Sequence, residues 1–141
     1  DIKVKSSKLK PIKLAGDIIS RLIDELPILF IACACCDGVS VIEDIGELRH
    51  KESDRIKSME EGLISLGIDV KTTQNSIEIT GGVFRGGIVN SYGDHRVAMS
   101  FIISGFVSEK PVTVTDAENI NTSFPNFIDI LKEKNNEIYH V

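Results

Sequence analysis

The sequence contains an internal repeat of about 70 residues, and this repeat limits the possible folds more than any other feature. Three further pairs coincide when Asp24 is aligned with Asp94: Val41 falls near Val112, Asp44 near Asp116, and Ser53 near Ser123. A period of this length is too long for a solenoid and suits a duplicated α/β unit. The sequence therefore predicts two similar units, at about residues 1–82 and 83–141.

Hydrophobic periodicity and breaker residues divide both units into alternating strands and helices. The first unit is predicted to contain a strand at 2–8, a helix at 18–36, a strand at 39–45, a helix at 52–66, and a hairpin of strands at 68–72 and 76–80. The second is predicted to contain a strand at 88–90, a helix at 94–106, a strand at 112–115, a helix at 123–134 and a strand at 137–141. Strands that alternate with helices require sheets covered by helices. The predicted fold class is α/β, with about two β-α-β-α-β-β units.

Composition and charge argue against several classes of protein. The 141 residues suit a single domain, and 42% of them are hydrophobic, which is enough to bury a core. The formal net charge of -5 disfavours binding of nucleic acid or of an anionic membrane through a positive field. The longest apolar stretch, 26–36, is too short to span a membrane, and no signal-peptide pattern is present. We therefore predict no nucleic acid and no membrane among the partners.

The three cysteines, Cys33, Cys35 and Cys36, all fall within one apolar run. An odd number of cysteines this tightly clustered does not match a disulfide framework. No histidine lies close enough in sequence to complete a zinc site, so we predict no metal. We expect three small, buried helix residues in a protein of a reducing compartment.

A charged segment, residues 49–55, spans the start of the predicted amphipathic helix. Lys51 and Arg55 are four residues apart and are predicted to share a helix face, with Glu52 beside them. Cations at a helix N-terminus oppose the helix dipole, so this pattern indicates a function, and anion binding explains it. Glu52 among these cations is suited to proton transfer. The alternative from the charges alone is a solvated helix end with internal ion pairs.

Three more segments, two of them at predicted helix starts, carry polar groups that bear on function. Asp94 is a candidate N-cap, and Arg96 follows it in the first helical turn. Asp24 lies three residues before Pro27 within a largely apolar helix, and residues 121–125 form a hydroxyl-rich helix start. Ordinary capping, an exposed turn or surface pairing also explains each of these alone. Because equivalent helix starts of a repeated unit lie on one side, we predict one cationic pocket with carboxylates inside it.

Four segments resemble motifs of the 5-enolpyruvylshikimate-3-phosphate synthase family, also called the 3-phosphoshikimate 1-carboxyvinyltransferase family. They are Leu48–Ile56, similar to LR-x-KESDRI; Tyr92–Met99, similar to GDHR-x-AM; Leu22–Pro27; and Ser123–Phe127. The resemblance covers nearly the whole chain, and the first two motifs are highly specific. It implies part of an inside-out α/β barrel of the enolpyruvyl transferase type. It also implies that residues 1–141 are the C-terminal portion of the C-terminal domain, with the N-terminal domain missing.

The resemblance further implies a biosynthetic activity in the cytoplasm. Members of the family transfer the enolpyruvyl group of phosphoenolpyruvate to the 5-hydroxyl of shikimate 3-phosphate and release phosphate. They use no metal or organic cofactor, and glyphosate inhibits them by occupying the phosphoenolpyruvate site. Since the missing N-terminal domain supplies the other wall of the cleft, the isolated chain is expected to be inactive.

Six residues match functional positions of the family: Asp24, Lys51, Glu52, Arg55, His95 and Arg96. By this resemblance, Asp24 accepts the proton of the 5-hydroxyl, and Glu52 protonates the enolpyruvyl methylene. Lys51 lies near the shikimate phosphate substrate, and His95 lines the pocket. Arg55 and Arg96 grip the anions of phosphoenolpyruvate, for which a guanidinium fork is well suited.

Two positions depart from the family pattern, and two alternative functions remain open. Glu47 stands where some members have a substrate-contacting asparagine, and Thr122 stands where some have an anion-binding lysine. Neither position is assigned a role. The sister enolpyruvyl transferase that acts on UDP-N-acetylglucosamine shares the architecture, but it is expected to lack the paired motifs. A non-catalytic fragment or interaction module is the alternative from another class.

Overall fold

The structure, a computed structural model, describes residues 1–3 and 5–134. Its strands are β1 (Lys13–Leu14), β2 (Val39–Glu43), β3 (Asp69–Thr72), β4 (Ser76–Thr80), β5 (Gly87–Asn90) and β6 (Val112–Thr115). Its helices are α1 (Asp17–Leu22), α2 (Leu26–Ala34), α3 (Arg55–Ser65), α4 (His95–Ser104), α5 (Ile120–Ser123) and α6 (Phe127–Lys134). Short 3-10 turns occupy Gly46–His50 and Gly105–Val107. The mixed sequence of strands and helices confirms the predicted α/β class.

Two sheets are present in the described part of the chain. The first has the strand order β1-β2-β4-β3, in which β1 runs parallel to β2 and the other neighbours are antiparallel. The second pairs β5 with β6 in parallel, with Val89 opposite Val114. Parallel pairs require a crossover, which α1 and α2 provide in the first sheet and α4 provides in the second.

Two aspartates that the sequence repeat pairs, Asp44 and Asp116, share an unusual backbone geometry. Asp44 follows β2 with a φ of 61°, and Asp116 follows β6 with a φ of 58°. This left-handed conformation is uncommon outside glycine, although aspartate tolerates it better than most residues. The same special conformation thus recurs at positions that the sequence repeat had paired.

The core lies where α2, α3 and α4 pack against one another between the two sheets. Ile56, Met59 and Leu63 form the predicted stripe on α3, and none of them has any exposed surface. At Gly62 the helices approach closely, since a Cβ atom there would lie 2.2 Å from Cζ of Phe101. A side chain at position 62 would therefore force α3 and α4 apart.

The helix predicted at 18–36 is instead two helices, with a break at residues 23–25. Pro27 is the physical reason, because it lacks the N–H that would bond back to Ile23 and its ring disfavours a continuous helix. Proline is well tolerated in the first turn, and α2 accordingly starts at Leu26. As a consequence, Asp24 lies in the connection between the two helices and not inside one.

Three other predictions concern the chain ends. The strand predicted at 2–8 is wrong for residues 2–3 and 5–8. These residues are exposed and pair with no strand, because the partner of β2 is Lys13–Leu14. The helix predicted at 123–134 begins only at Phe127, since Pro125 disfavours a helical conformation at Phe124, whose ψ is 77°. The strand predicted at 137–141 lies outside the described residues.

Candidate functional site

Three helix N-termini converge at one place in the structure. Glu25 precedes α2, Asp54 precedes α3, and Asp94 precedes α4. The side chain of Arg55, the first residue of α3, reaches both other helix starts, which places all three N-termini around one guanidinium. The starts of α3 and α4 therefore lie together as predicted, and the start of α2, which the sequence did not predict, joins them.

Arg55 is the centre of this cluster and has no exposed surface. Its Nε donates to Oδ2 of Asp94 at 2.7 Å, and its Nη1 donates to Oδ1 of Asp24 at 3.1 Å. Its Nη2 donates to Oε2 of Glu52 at 2.5 Å. Burial lowers the pKa of Arg55, but the hydrogen bonds and charges of these carboxylates outweigh that effect and raise it. The alternative of a solvated helix end is thus wrong for Arg55, although the internal ion pairs that it expected are present, as in the pair of Arg49 with Asp54.

Asp94 holds the starts of α3 and α4 together. Its Oδ1 accepts the backbone N–H groups of Arg96 and Val97, as predicted for an N-cap. Its Oδ2 accepts from Arg55 and, at 3.2 Å, from the hydroxyl of Ser53. Asp94 has no exposed surface, so its contact with Arg55 is a fully buried ion pair. The sequence identified the cap, but a partner 39 residues away left no local signal.

Asp24 and Arg96 lie on the more exposed side of the cluster. Nη1 of Arg96 donates to the backbone carbonyl of Asp24 at 2.9 Å, and its Nη2 lies 3.4 Å from the Asp24 carboxylate. Glu25 lies 3.8 Å from the same guanidinium. Burial raises the pKa of Asp24, but the hydrogen bond from Arg55 and the charges of Arg96, Arg55 and Lys51 hold it below its ordinary value. The Asp24 carboxylate is therefore stabilised in its charged form.

Lys51 and Glu52 precede α3, so the predicted helical face shared by Lys51 and Arg55 is wrong. The backbone of Lys51 is extended, because Asp54 caps the helix by accepting the N–H of Lys57. Nζ of Lys51 instead lies 2.7 Å from a carboxylate oxygen of Glu47, one of the two positions that depart from the family pattern. Glu52 still joins the cluster, through its contact with Arg55.

An open cavity of about 630 Å³ lies beside the cluster. Its lining residues are Glu52, Tyr92, Gly93, His95, Asn119, Thr122 and Ser123. Glu52 and His95 are the site residues that face this space, whereas Asp24, Lys51, Arg55 and Arg96 are not among the lining residues. The Thr122 hydroxyl donates to the backbone carbonyl of Asn119, so it is already used within the wall.

The structure thus brings Asp24, Glu52, Arg55 and Arg96 into direct contact through shared ion pairs. Lys51 is close enough for its charge to lower the pKa of Asp24, and His95 shares a cavity with Glu52. Sequence analysis missed the roles of Asp94, Ser53 and Arg49 in organising the cluster. All three residues lie within the sequence motifs, but their contacts with the cluster depend on the tertiary fold.

The cysteines and possible metal ligands do not add to this cluster. Cys33 and Cys36 are buried and Cys35 is exposed, and both Cys35 and Cys36 follow the end of α2 at Ala34, so the expectation of three buried helix residues is correct only for Cys33. Burial raises the pKa of the Cys33 thiol. Over residues 1–3 and 5–134, no group of three or more His, Cys, Asp or Glu side chains is arranged to hold a metal ion. Within the same ranges, every helix is too short or too polar to cross a bilayer.

Comparison with known proteins gives concordant results. A family model described as EPSP synthase (3-phosphoshikimate 1-carboxyvinyltransferase) matches residues 1–131. The chain is 45% identical over 132 residues to a 3-phosphoshikimate 1-carboxyvinyltransferase of Methylococcus capsulatus, covering 94% of this chain and 30% of that relative. A relative of the same name from Coxiella burnetii is 44% identical over 133 residues, with the same coverage. The chain thus spans about 30% of the length of these curated relatives.

Solved structures agree with the sequence comparison. An EPSP synthase from Acinetobacter baumannii superposes with a TM-score of 0.86 at 41% identity, covering 89% of this chain and 30% of that chain. The enolpyruvyl transferase NikO from Streptomyces tendae gives a TM-score of 0.69 at 15% identity, covering 92% of this chain and 29% of that one. At that identity the second match supports the fold alone.

Proposed function

Because the chain belongs to the EPSP synthase (3-phosphoshikimate 1-carboxyvinyltransferase) family, we propose that it forms part of an enolpyruvyl transferase. In this proposal, residues 1–141 are the C-terminal portion of the C-terminal domain, and a separate N-terminal domain supplies the other wall of a cleft. The substrates are phosphoenolpyruvate and shikimate 3-phosphate, the location is the cytoplasm, and glyphosate competes for the phosphoenolpyruvate site.

The observation that carries this proposal is the pair of carboxylates held by one buried guanidinium. Asp24 and Glu52 bind different nitrogens of Arg55, which fixes both carboxylates relative to each other. Their side chains are 46% and 52% exposed, so both remain accessible from outside. Two accessible carboxylates in a fixed relation are suited to a reaction that moves one proton at each end.

The reaction divides between these two groups as follows. The 5-hydroxyl oxygen of shikimate 3-phosphate forms a bond to C2 of phosphoenolpyruvate while its proton passes to the carboxylate of Asp24. Glu52, in its protonated form, gives its proton to C3, which becomes a methyl group. Phosphate then leaves from C2 and takes up the proton held by Asp24, while the methyl group returns a proton to the carboxylate of Glu52, and the double bond of the enolpyruvyl group is restored.

The cations have separate roles in the same proposal. Arg96 is 33% exposed and is held by the backbone carbonyl of Asp24 and by two partly exposed carboxylates, so an incoming phosphoenolpyruvate anion reaches this guanidinium from the solvent side. Lys51, whose side chain is 24% exposed, faces shikimate 3-phosphate, and His95 contributes to the cavity wall. Contact between Arg55 and a substrate anion requires Asp24 or Glu52 to move aside, since both occupy its nitrogens.

A chimeric enzyme tests the proposal. This chain replaces the matching segment of the Methylococcus capsulatus relative, and the product is expressed in a bacterial strain that lacks 3-phosphoshikimate 1-carboxyvinyltransferase and requires aromatic amino acids. We expect growth without these amino acids, and phosphate release in vitro only when both substrates are present. A folded chimera without either activity, beside an active unsubstituted relative, would refute the proposal.

The chain alone is expected to fold but to release no phosphate from the two substrates. Positioning of both reactants can lower a barrier by about 7–11 kcal/mol, and a single wall of the cleft cannot supply it. The assay compares the purified 141-residue chain with its Glu52→Ala variant. Phosphate release by the parent chain above that of the variant would show that one wall is sufficient.

A further inference from the structure

The turn between β3 and β4 binds the segment that leads into α3. Nε of Arg49 donates to the backbone carbonyl of Gln74 at 3.1 Å, and Nη2 donates to that of Thr73 at 2.5 Å. The side-chain oxygen of Asn75 accepts the backbone N–H of Gly46 at 2.7 Å. The hairpin tip therefore fixes the segment from Gly46 to Arg49 through several hydrogen bonds.

The third nitrogen of the Arg49 guanidinium, Nη1, binds the start of α3. Nη1 of Arg49 donates to Oδ2 of Asp54 at 2.8 Å, while Oδ1 of Asp54 accepts the N–H of Lys57 at 3.0 Å. The Arg49 side chain is only 16% exposed, so this ion pair is partly shielded from water. Arg49 thus joins the hairpin tip to the N-cap of α3 across the short loop of residues 50–53.

That loop carries two of the residues to which the proposed reaction assigns roles. Lys51 and Glu52 lie between the two pinned ends, outside both the preceding 3-10 turn and α3. Because the loop lacks helical hydrogen bonds of its own, the positions of these side chains depend on where its ends are held. Arg49 makes three directed hydrogen bonds in a planar fork, which a lysine ammonium cannot reproduce.

We propose that Arg49 is a positioning residue that sets the loop of residues 50–53 and thereby aims Glu52 at the reacting carbon. The aiming of Glu52 rests on the function proposed above, whereas the fixing of the loop does not. Arg49 touches neither substrate. Its effect on the reaction passes through the backbone of the loop and the contact between Glu52 and Arg55.

Amide hydrogen exchange of the 141-residue chain tests the structural half. For Arg49→Met we expect exchange of the hydrogen-bonded amides at the two ends of the loop, those of Gly46 and Lys57, to accelerate about tenfold or more, with α2 unchanged. Asp54→Asn keeps the cap acceptor and loses the charge, so it should give a smaller increase at the same residues. Lys71→Met is the matched control, since Lys71 is a hairpin cation in an exposed pair with Glu78, and it should change nothing in the loop.

Two exchange results would overturn the inference. One is unchanged exchange of the Gly46 and Lys57 amides in both Arg49→Met and Asp54→Asn. The other is an equal increase in α2 and β2, which would assign Arg49 to global stability alone. If Arg49→Met does not fold, Asp54→Asn and Arg49→Lys decide the question, because both retain hydrogen-bonding capacity at their positions.

Kinetics of the chimeric enzyme test the catalytic half. Displacement of Glu52 by about 1 Å should lower kcat on the order of 10- to 100-fold in Arg49→Met, with the KM for phosphoenolpyruvate changed less than about threefold. Arg49→Lys should recover only part of kcat. An Arg49→Met chimera with unchanged kcat, or with a raised KM alone, would refute the positioning role. An inactive parent chimera would instead refute the proposed function and leave the exchange result valid.

Discussion

The buried pair of Asp94 and Arg55 makes a strong quantitative prediction about stability. Asp94→Ala removes the N-cap of α4, which costs about 1 kcal/mol, and breaks a buried ion pair, which costs about 3–5 kcal/mol. Since Arg55 keeps Asp24 and Glu52 as partners, the lower end of the second range applies. The free energy of unfolding should therefore fall by about 4 kcal/mol, equivalent to a Tm lower by roughly 12–16 °C.

A second substitution separates the two contributions. Asp94→Asn keeps an oxygen for the backbone N–H groups of Arg96 and Val97 but removes the charge facing Arg55, so it should cost about 3 kcal/mol. Asp37→Asn is the control, because Asp37 is 86% exposed in its pair with Lys8 and such pairs contribute at most about 1 kcal/mol. Urea unfolding followed by circular dichroism measures all three variants.

Small losses of stability in both Asp94 variants would refute the contribution of the buried ion pair. If Asp94→Ala and Asp94→Asn each lower the free energy of unfolding by less than about 1.5 kcal/mol, the ion pair contributes no more than a cap. A double-mutant cycle with Arg55→Met gives an independent measurement. Additive losses in that cycle would show that Asp94 and Arg55 do not interact in solution.

Three further predictions concern packing, pH and the proposed site. Gly81→Ala should lower the free energy of unfolding in urea by more than about 3 kcal/mol, because its Cβ would lie 1.7 Å from the carbonyl oxygen of Cys36. Gly82→Ala is the control and should lower it by less than about 1 kcal/mol, because the nearest neighbour of its Cβ is at 3.6 Å. The folded-state pKa of Asp24 is lowered, so the Asp24 carboxylate stabilises the fold above its unfolded pKa near 4, and this contribution is lost as the pH falls below that value. Asp24→Asn should therefore flatten the dependence of the free energy of unfolding on pH in this range. An unchanged acid profile would contradict the prediction. Arg96→Ala in the chimeric enzyme should lower kcat/KM for phosphoenolpyruvate by an amount equivalent to about 2–5 kcal/mol, and an unchanged specificity constant would contradict its role.

Local patterns in the sequence were sufficient to predict the elements that depend on local physics. The strand at 112–115 and the hairpin strand at 76–80 occur as predicted, because each is an alternating run bounded by turn residues. The apolar stripe of α3 was equally predictable, since its period directly encodes the buried face. The break before Pro27 was harder, because proline is compatible both with the first turn of a helix and with a kink.

The chemistry of the site depended on tertiary contacts that no local pattern encodes. Arg55 was expected to offer its charge to an anion, but it is buried among Asp24, Glu52 and Asp94. Two of these partners lie 31 and 39 residues away in sequence. A charge motif indicates that a cluster exists, whereas the pairing inside it follows only from the packing of α2, α3 and α4.

The geometry of the charged cluster depends on Gly62, although this residue lies away from the charged groups. Position 62 lies seven residues along α3 from Arg55, which is about 10 Å of helix. The two helices behave as stiff rods that touch at Gly62 and Phe101 and meet again at the ion pair between Arg55 and Asp94. A larger side chain at position 62 would change the angle between the two helices and so displace Arg55 relative to Asp94. The alignment of the carboxylates around Arg55 is therefore tunable by side-chain volume at position 62, with no change in any charged group.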